Sequence, residues 1–130
     1  MASNYDTTVV AGDTLRIVFG ATDVNGNTYN FTGCTLSMQV RKGYYPGYTY
    51  ASYSLYVASS NTYSPPDGYT GGISATGTGG LVALAVGSSK TINFPPNNNV
   101  FYDLQMSTPT FDVETLLRGR IEVLPEVTRG

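Results

Sequence analysis

Apolar and polar residues alternate along most of the apolar segments of this chain, and that period decides what it can fold into. In DTLRIVFGA, Leu15, Ile17 and Phe19 fall on one face. In CTLSMQVRK, Leu36, Met38 and Val40 face one way, while Ser37, Gln39 and Arg41 face the other. Tyr102, Leu104 and Met106 alternate with Asp103 and Gln105, and Leu117, Gly119, Ile121 and Val123 alternate with Arg118, Arg120 and Glu122. A period of two places one face of a strand in a core and the other in solvent. No window repeats apolar residues at helical spacing between caps. Turn signals divide the segments: Asn25-Gly26, Gly33, and PPNNN from Pro95 to Asn99.

Short strands separated by turns predict an all-β fold, an immunoglobulin-like antiparallel β-sandwich. The 130 residues suffice for one domain, residues 1–130, and one core. The in-phase positions Leu15, Ile17, Leu36, Met38, Val40, Tyr102, Leu104, Ile121 and Val123 are the expected core, with no helix longer than about two turns. TGGLVALAVGSSKTINF reads as a hairpin, with strands near 80–86 and 90–94 around Gly87-Ser88-Ser89. Tyr102 opens its strand directly after a polar turn, where it can bury its ring and return its hydroxyl to nearby backbone, as in a tyrosine corner.

One stretch interrupts the pattern. GYYPGYTYASYSLYVASSNTYSPPDGY, from Gly43 to Tyr69, holds eight of the eleven tyrosines and a single charge, Asp67. Charged residues are only 12 % of the chain, about half the share of roughly 25 % in ordinary domains. The segment reads as an insertion over about 43–79, an extended hairpin with a glycine-rich loop projecting from the sandwich. A partly apolar, uncharged surface of this kind marks a contact surface. Tyr44, Tyr45, Tyr48, Tyr50, Tyr53, Tyr56, Tyr63 and Tyr69 are the expected protein-interface residues. Tyr48, Tyr50 and Tyr53 are expected to lie outside the framework strands, so that serine at all three leaves the sandwich folded.

The composition argues against chemistry. There is no histidine, which removes Ser-His-Asp and Cys-His mechanisms and histidine metal sites. Cys34 is the only cysteine; it can form no intrachain disulfide and reads as a small apolar filler. DVNGN resembles the start of a calcium loop, but Gly26 comes one place early and the twelfth position would be Cys34, so it reads as a turn. Asp103, Asp112 and Glu114 sit on exposed strand faces by the alternation, which suits solvated surface more than an acid/base pair. We therefore expect no enzyme, no catalytic residues, no metal and no cofactor. Net charge is −2, and the basic residues form no run longer than Arg41-Lys42, so no nucleic-acid footprint is expected. The opening MASNYDTT has no signal-peptide pattern, and LVALAV is too short to span a bilayer. The expectation is a protein made in cytoplasm, not secreted and without membrane contact.

The most specific pattern lies in the last third. FYDLQMSTPTFDVETLLRGRIEVLPEVTR resembles the ending of small phage virion modules, where a strand reading YDLQ leads through a turn into LL.G.I.V.PEVTR. AGDTLRIVFGATDVNGNTYNFTGCTLSMQVRK is similar to their opening, with a Gly-Asp-Thr start, a glycine turn and a strand ending in Gln-x-Arg, here Gln39 and Arg41. Such modules occur in tail and baseplate proteins, including the N-terminal domains of baseplate upper proteins. The Tyr-rich segment has no counterpart in that pattern. The resemblance implies a non-enzymatic virion structural protein of tail, baseplate or neck, whose partners are other virion proteins and copies of itself. The alternatives are a capsid decoration protein and a carbohydrate-binding module that takes a host glycan.

Overall fold

Seven of the nine expected core positions lie on three strands that pair with one another or pack across from one another, and the fold is built around them. The structure, a computed structural model, describes residues 3–20, 22, 26–27, 30–42, 49–57, 66–75, 80–95 and 99–125. Among these the strands are β1 (Ser3–Asn4), β2 (Thr7–Val10), β3 (Leu15–Gly20), β4 (Thr35–Arg41), β5 (Thr49–Tyr56), β6 (Gly71–Ala75), β7 (Leu81–Val86), β8 (Asn99–Ser107) and β9 (Val113–Leu124). A single helical turn, α1 (Ser88–Thr91), follows β7. The larger sheet runs β1-β9-β8-β4-β5, with β2 also on β9, and the smaller runs β3-β7-β6. β1 and β2 run parallel to β9, and the other pairs are antiparallel. The protein is an all-β, sandwich-like fold.

The alternation lands in phase. All nine expected core residues are buried. They pack in one cluster with residues that the period does not single out, among them Phe31, Phe94 and Leu84. β7 is buried on both faces from Val82 to Val86, as its unbroken apolar run requires of a central strand.

Three expectations need correction. Two stretches within the expected insertion over 43–79 belong to the framework: Thr49–Tyr56 pairs with β4 in the larger sheet, and Gly71–Ala75 pairs with β7 in the smaller. No strand forms near 90–94. There the chain makes α1, whose buried Thr91 donates from Oγ1 to the Asp13 carbonyl at 2.7 Å and accepts from the Gly12 amide at 3.1 Å. Tyr102 buries its ring and donates to backbone, but not to a nearby group. Its hydroxyl reaches the Tyr5 carbonyl at 2.6 Å, 97 residues away. It is a clasp on the N-terminal strand and not a local corner.

Candidate functional site

One irregularity in the β4–β5 ladder decides where Tyr50 goes. Along β4 and β5, Val40 pairs with Ala51 but Arg41 pairs with Thr49, which leaves Tyr50 as the extra residue of a bulge. A bulge re-aims one side chain. Ala51 keeps its inward position, and Tyr50 also turns against the core, its ring 5.4 Å from that of Phe94. Tyr53 packs against the same core. Its hydroxyl donates to the Thr70 carbonyl at 2.7 Å and accepts from the Gly87 amide at 3.3 Å. Burial pushes the Tyr53 phenol pKa up, opposed by the Gly87 amide. Tyr56 and Tyr69 are exposed, at 64 % and 67 %. Tyr44, Tyr45, Tyr48 and Tyr63 lie outside the described residues. Of the four expected interface tyrosines that are described, the structure makes Tyr50 and Tyr53 framework and presents Tyr56 and Tyr69 to solvent.

Tyr69 is held on a fastened turn. Thr14 Oγ1 donates to the Gly68 carbonyl at 2.6 Å, Arg16 Nη1 to the Pro66 carbonyl at 2.9 Å, and Ser89 Oγ to the Tyr69 carbonyl at 2.6 Å. Asp67 closes the turn from within. Its carboxylate accepts from the Thr70 amide and hydroxyl, each at 2.8 Å, and from the Tyr69 amide at 3.2 Å. The Thr70 hydrogen bonds, the amide first, hold the Asp67 pKa below its ordinary 3.8, despite a small opposing desolvation effect. A depressed pKa means the turn's stabilisation is present above the unfolded value and is lost as pH falls through the folded one. The Thr70 amide chemical shift should therefore titrate with a midpoint below 3.8. A midpoint at or above that value would show that the Asp67 cap is not formed in solution.

The outward face of the larger sheet is the second feature. Residues opposite one another across a ladder share a face, so the registers map it row by row. Tyr56, Thr35, Ser107 and Val113 form one end row. Ser54, Ser37, Gln105 and Thr115 come next, followed by Ser52, Gln39, Asp103, Arg118 and Asn4. The far row is Arg41, Phe101 and Arg120. The last three rows, apart from Ser52 and Ser54 on β5, line a groove of about 700 Å³. Arg41 donates through Nε to Gln39 Oε1 at 2.9 Å, and its Nη2 contacts the same oxygen. Asp103 is half-buried in the groove, which corrects the expectation of an exposed carboxylate. Burial raises its pKa, and the Arg41 charge opposes the rise.

The third feature is an open edge. β5 ends the larger sheet among the described residues. The Val57 amide donates to the Cys34 carbonyl at 2.9 Å, and the Val57 carbonyl accepts from the Gly33 amide at 2.7 Å. Backbone groups of alternate residues point to opposite sides of a strand. Leu55 and Tyr53 thus face β4, and Ser52, Ser54 and Tyr56 direct their amides and carbonyls to the free edge. Strand edges are commonly blunted by Lys or Pro, but TYASYSLY contains neither and carries no charge.

The sequence reading missed Phe111 and Val113, which are 86 % and 64 % exposed beside the turn joining β8 to β9. The only available signal was an aromatic in STPTFD, between two strands. Cys34 is buried, and burial raises its thiol pKa, which suits an inert filler. Among the described residues no three His, Cys, Asp or Glu side chains are placed to hold a metal ion, and no helix is long and apolar enough to cross a membrane. No protein-family model matches the chain, and no curated protein matches it in sequence.

Proposed function

We propose that this chain is a non-enzymatic structural protein of a phage particle, a tail, baseplate or neck component that assembles with copies of itself and with other virion proteins. One observation carries the assembly reading. Among the described residues no strand pairs with the outer edge of β5, to which Ser52, Ser54 and Tyr56 direct their backbone groups, with an exposed tyrosine and no charge in the strand to desolvate. Strand addition at such an edge draws affinity from main-chain hydrogen bonds and specificity from alternate side chains. The placement in a virion rests on the resemblance of the two terminal stretches to phage modules, and an immunoglobulin-like topology is part of the same proposal. It is supported by the chain's crossings between two packed sheets.

The edge can be closed without touching the fold, because the Ser54 and Tyr56 amides point away from β4. Lysine at both positions should leave the circular dichroism spectrum and melting temperature unchanged and convert an oligomer to monomers in light scattering. Unchanged association in the folded double variant would remove the edge from the reading. Mass spectrometry of purified particles tests the placement, and copy number separates a tail component from a capsid decoration protein.

A further inference from the structure

The turn between β8 and β9 presents an aromatic in a conformation that few non-glycine residues adopt. Phe111 has φ 66° and is 86 % exposed. The turn is braced: the Thr108 amide donates to the Asp112 carbonyl and the Phe111 amide to the Thr108 carbonyl, each at 2.9 Å. The Asp112 amide donates to Thr108 Oγ1 at 3.1 Å. A bulky residue held in the left-handed region, with its ring in water, points to function more than to folding. Fixing the ring before contact lowers the entropy cost of binding.

The tip and the groove are of opposite character. The tip carries Phe111, Asp112 and Val113, with Glu114 next in the chain. The groove sets three arginines, Arg41, Arg118 and Arg120, against two aspartates, Asp6 and Asp103, and has Phe101 at the arginine end. Asp6 already accepts from the Arg120 amide at 2.9 Å. We propose that the β8–β9 tip of one copy docks in the outer groove of the larger sheet of a second copy, with Phe111 on the Phe101 row and Asp112 against Arg120. This rests on the self-assembly reading above and names a second contact for it. The contact forms in trans because β8 separates the two within one chain. From Phe101 to Ser107 the strand advances about 20 Å at roughly 3.3 Å per residue. Tip and groove are different surfaces, so the contact is head-to-tail and builds rings or filaments.

Charge reversal tests it in the full chain. Asp112→Arg alone places a cation against arginines, and Arg120→Glu alone places an anion against the acidic tip. Each variant should need more than about tenfold higher concentration to associate than the parent chain in sedimentation velocity. Each should keep the parent's circular dichroism spectrum. An equimolar mixture should associate again, because each tip then meets a groove of opposite sign. Phe111→Ser should weaken association and gain nothing from mixing. If the parent chain assembles and all three variants assemble equally well, the tip contact is wrong and the edge reading stands. If the parent chain is monomeric at every concentration, self-assembly itself fails and this inference falls with it. A loss of association that mixing does not restore also overturns the contact.

Discussion

Alanine at Gly119 is expected to destabilise the protein by about 3–5 kcal/mol and to lower its melting temperature by roughly 10–20 °C. A Cβ built on Gly119 would lie 1.8 Å from the Tyr5 carbonyl oxygen and 2.6 Å from its carbon. Backbone cannot yield as a flexible side chain would, so the Tyr5-Asp6 segment must move. That segment carries three bonds, two holding the N-terminal strands to β9 and one to β8. The Tyr5 amide donates to the Arg118 carbonyl at 2.9 Å, Asp6 Oδ1 accepts from the Arg120 amide at 2.9 Å, and the Tyr5 carbonyl accepts from the Tyr102 hydroxyl at 2.6 Å. Displacing it leaves the buried Tyr102 hydroxyl without its acceptor, which costs about 1–3 kcal/mol by itself. Burial, and then the nearby Tyr5 and Asp6 groups, already push the Tyr102 phenol pKa up. Thermal melts of Gly119→Ala and Tyr102→Phe check the argument. The phenylalanine variant should lose only the hydroxyl share. An alanine variant as stable as the parent chain would mean that the segment does not cross β9 at this glycine.

Much of this fold was legible because burial on one face leaves a period of two. That is why Leu15, Ile17, Leu36, Met38 and Val40 were found without a structure, and why the strand character of YTYASYSLYV was seen. The same stretch shows where the reading failed. Its described inward positions run Tyr50 and then Ala51, Tyr53, Leu55, Val57, a change of phase that the bulge at Tyr50 explains. A single strand whose register shifts at a bulge looks like decoration if the change is taken as an interruption. Phe31 and Phe94 were missed because they enter the core from outside regular strands, where periodicity carries no information. The turn after β7 was read as a hairpin because nothing local marks Thr91 as a buried hydrogen-bonding residue. The groove was invisible for a different reason. It is assembled from β1, β4, β8 and β9, and the neighbour relations of strands so far apart in the chain are a property of topology.

Serine at both Tyr50 and Tyr53 is expected to unfold most of the protein, whereas serine at both Tyr56 and Tyr69 is expected to leave it folded. The inward pair joins the two sheets. Tyr50 meets Phe94 beyond the end of β7, and Tyr53 spans from β5 to the start of β6 and the end of β7 through its hydroxyl. The smaller sheet is built to receive that hydroxyl. Gly71 has φ 84°, and a Cβ there would lie 2.5 Å from the Tyr53 oxygen and 2.4 Å from the Ala85 carbonyl. Removing a half-buried ring from a packed site should cost about 2–3 kcal/mol. Two such losses approach the whole stability of a domain, about 5–15 kcal/mol. Tyr53→Phe separates the contributions: it keeps the ring and should cost about 1 kcal/mol for the hydrogen bonds. Urea titrations of the three variants and the parent chain give the comparison directly. A folded Tyr50→Ser/Tyr53→Ser variant with the parent midpoint would return both rings to the surface, where the composition alone had placed them. The expected result instead divides the tyrosines by strand face, the inward pair holding the sheets together and the outward pair left for partners.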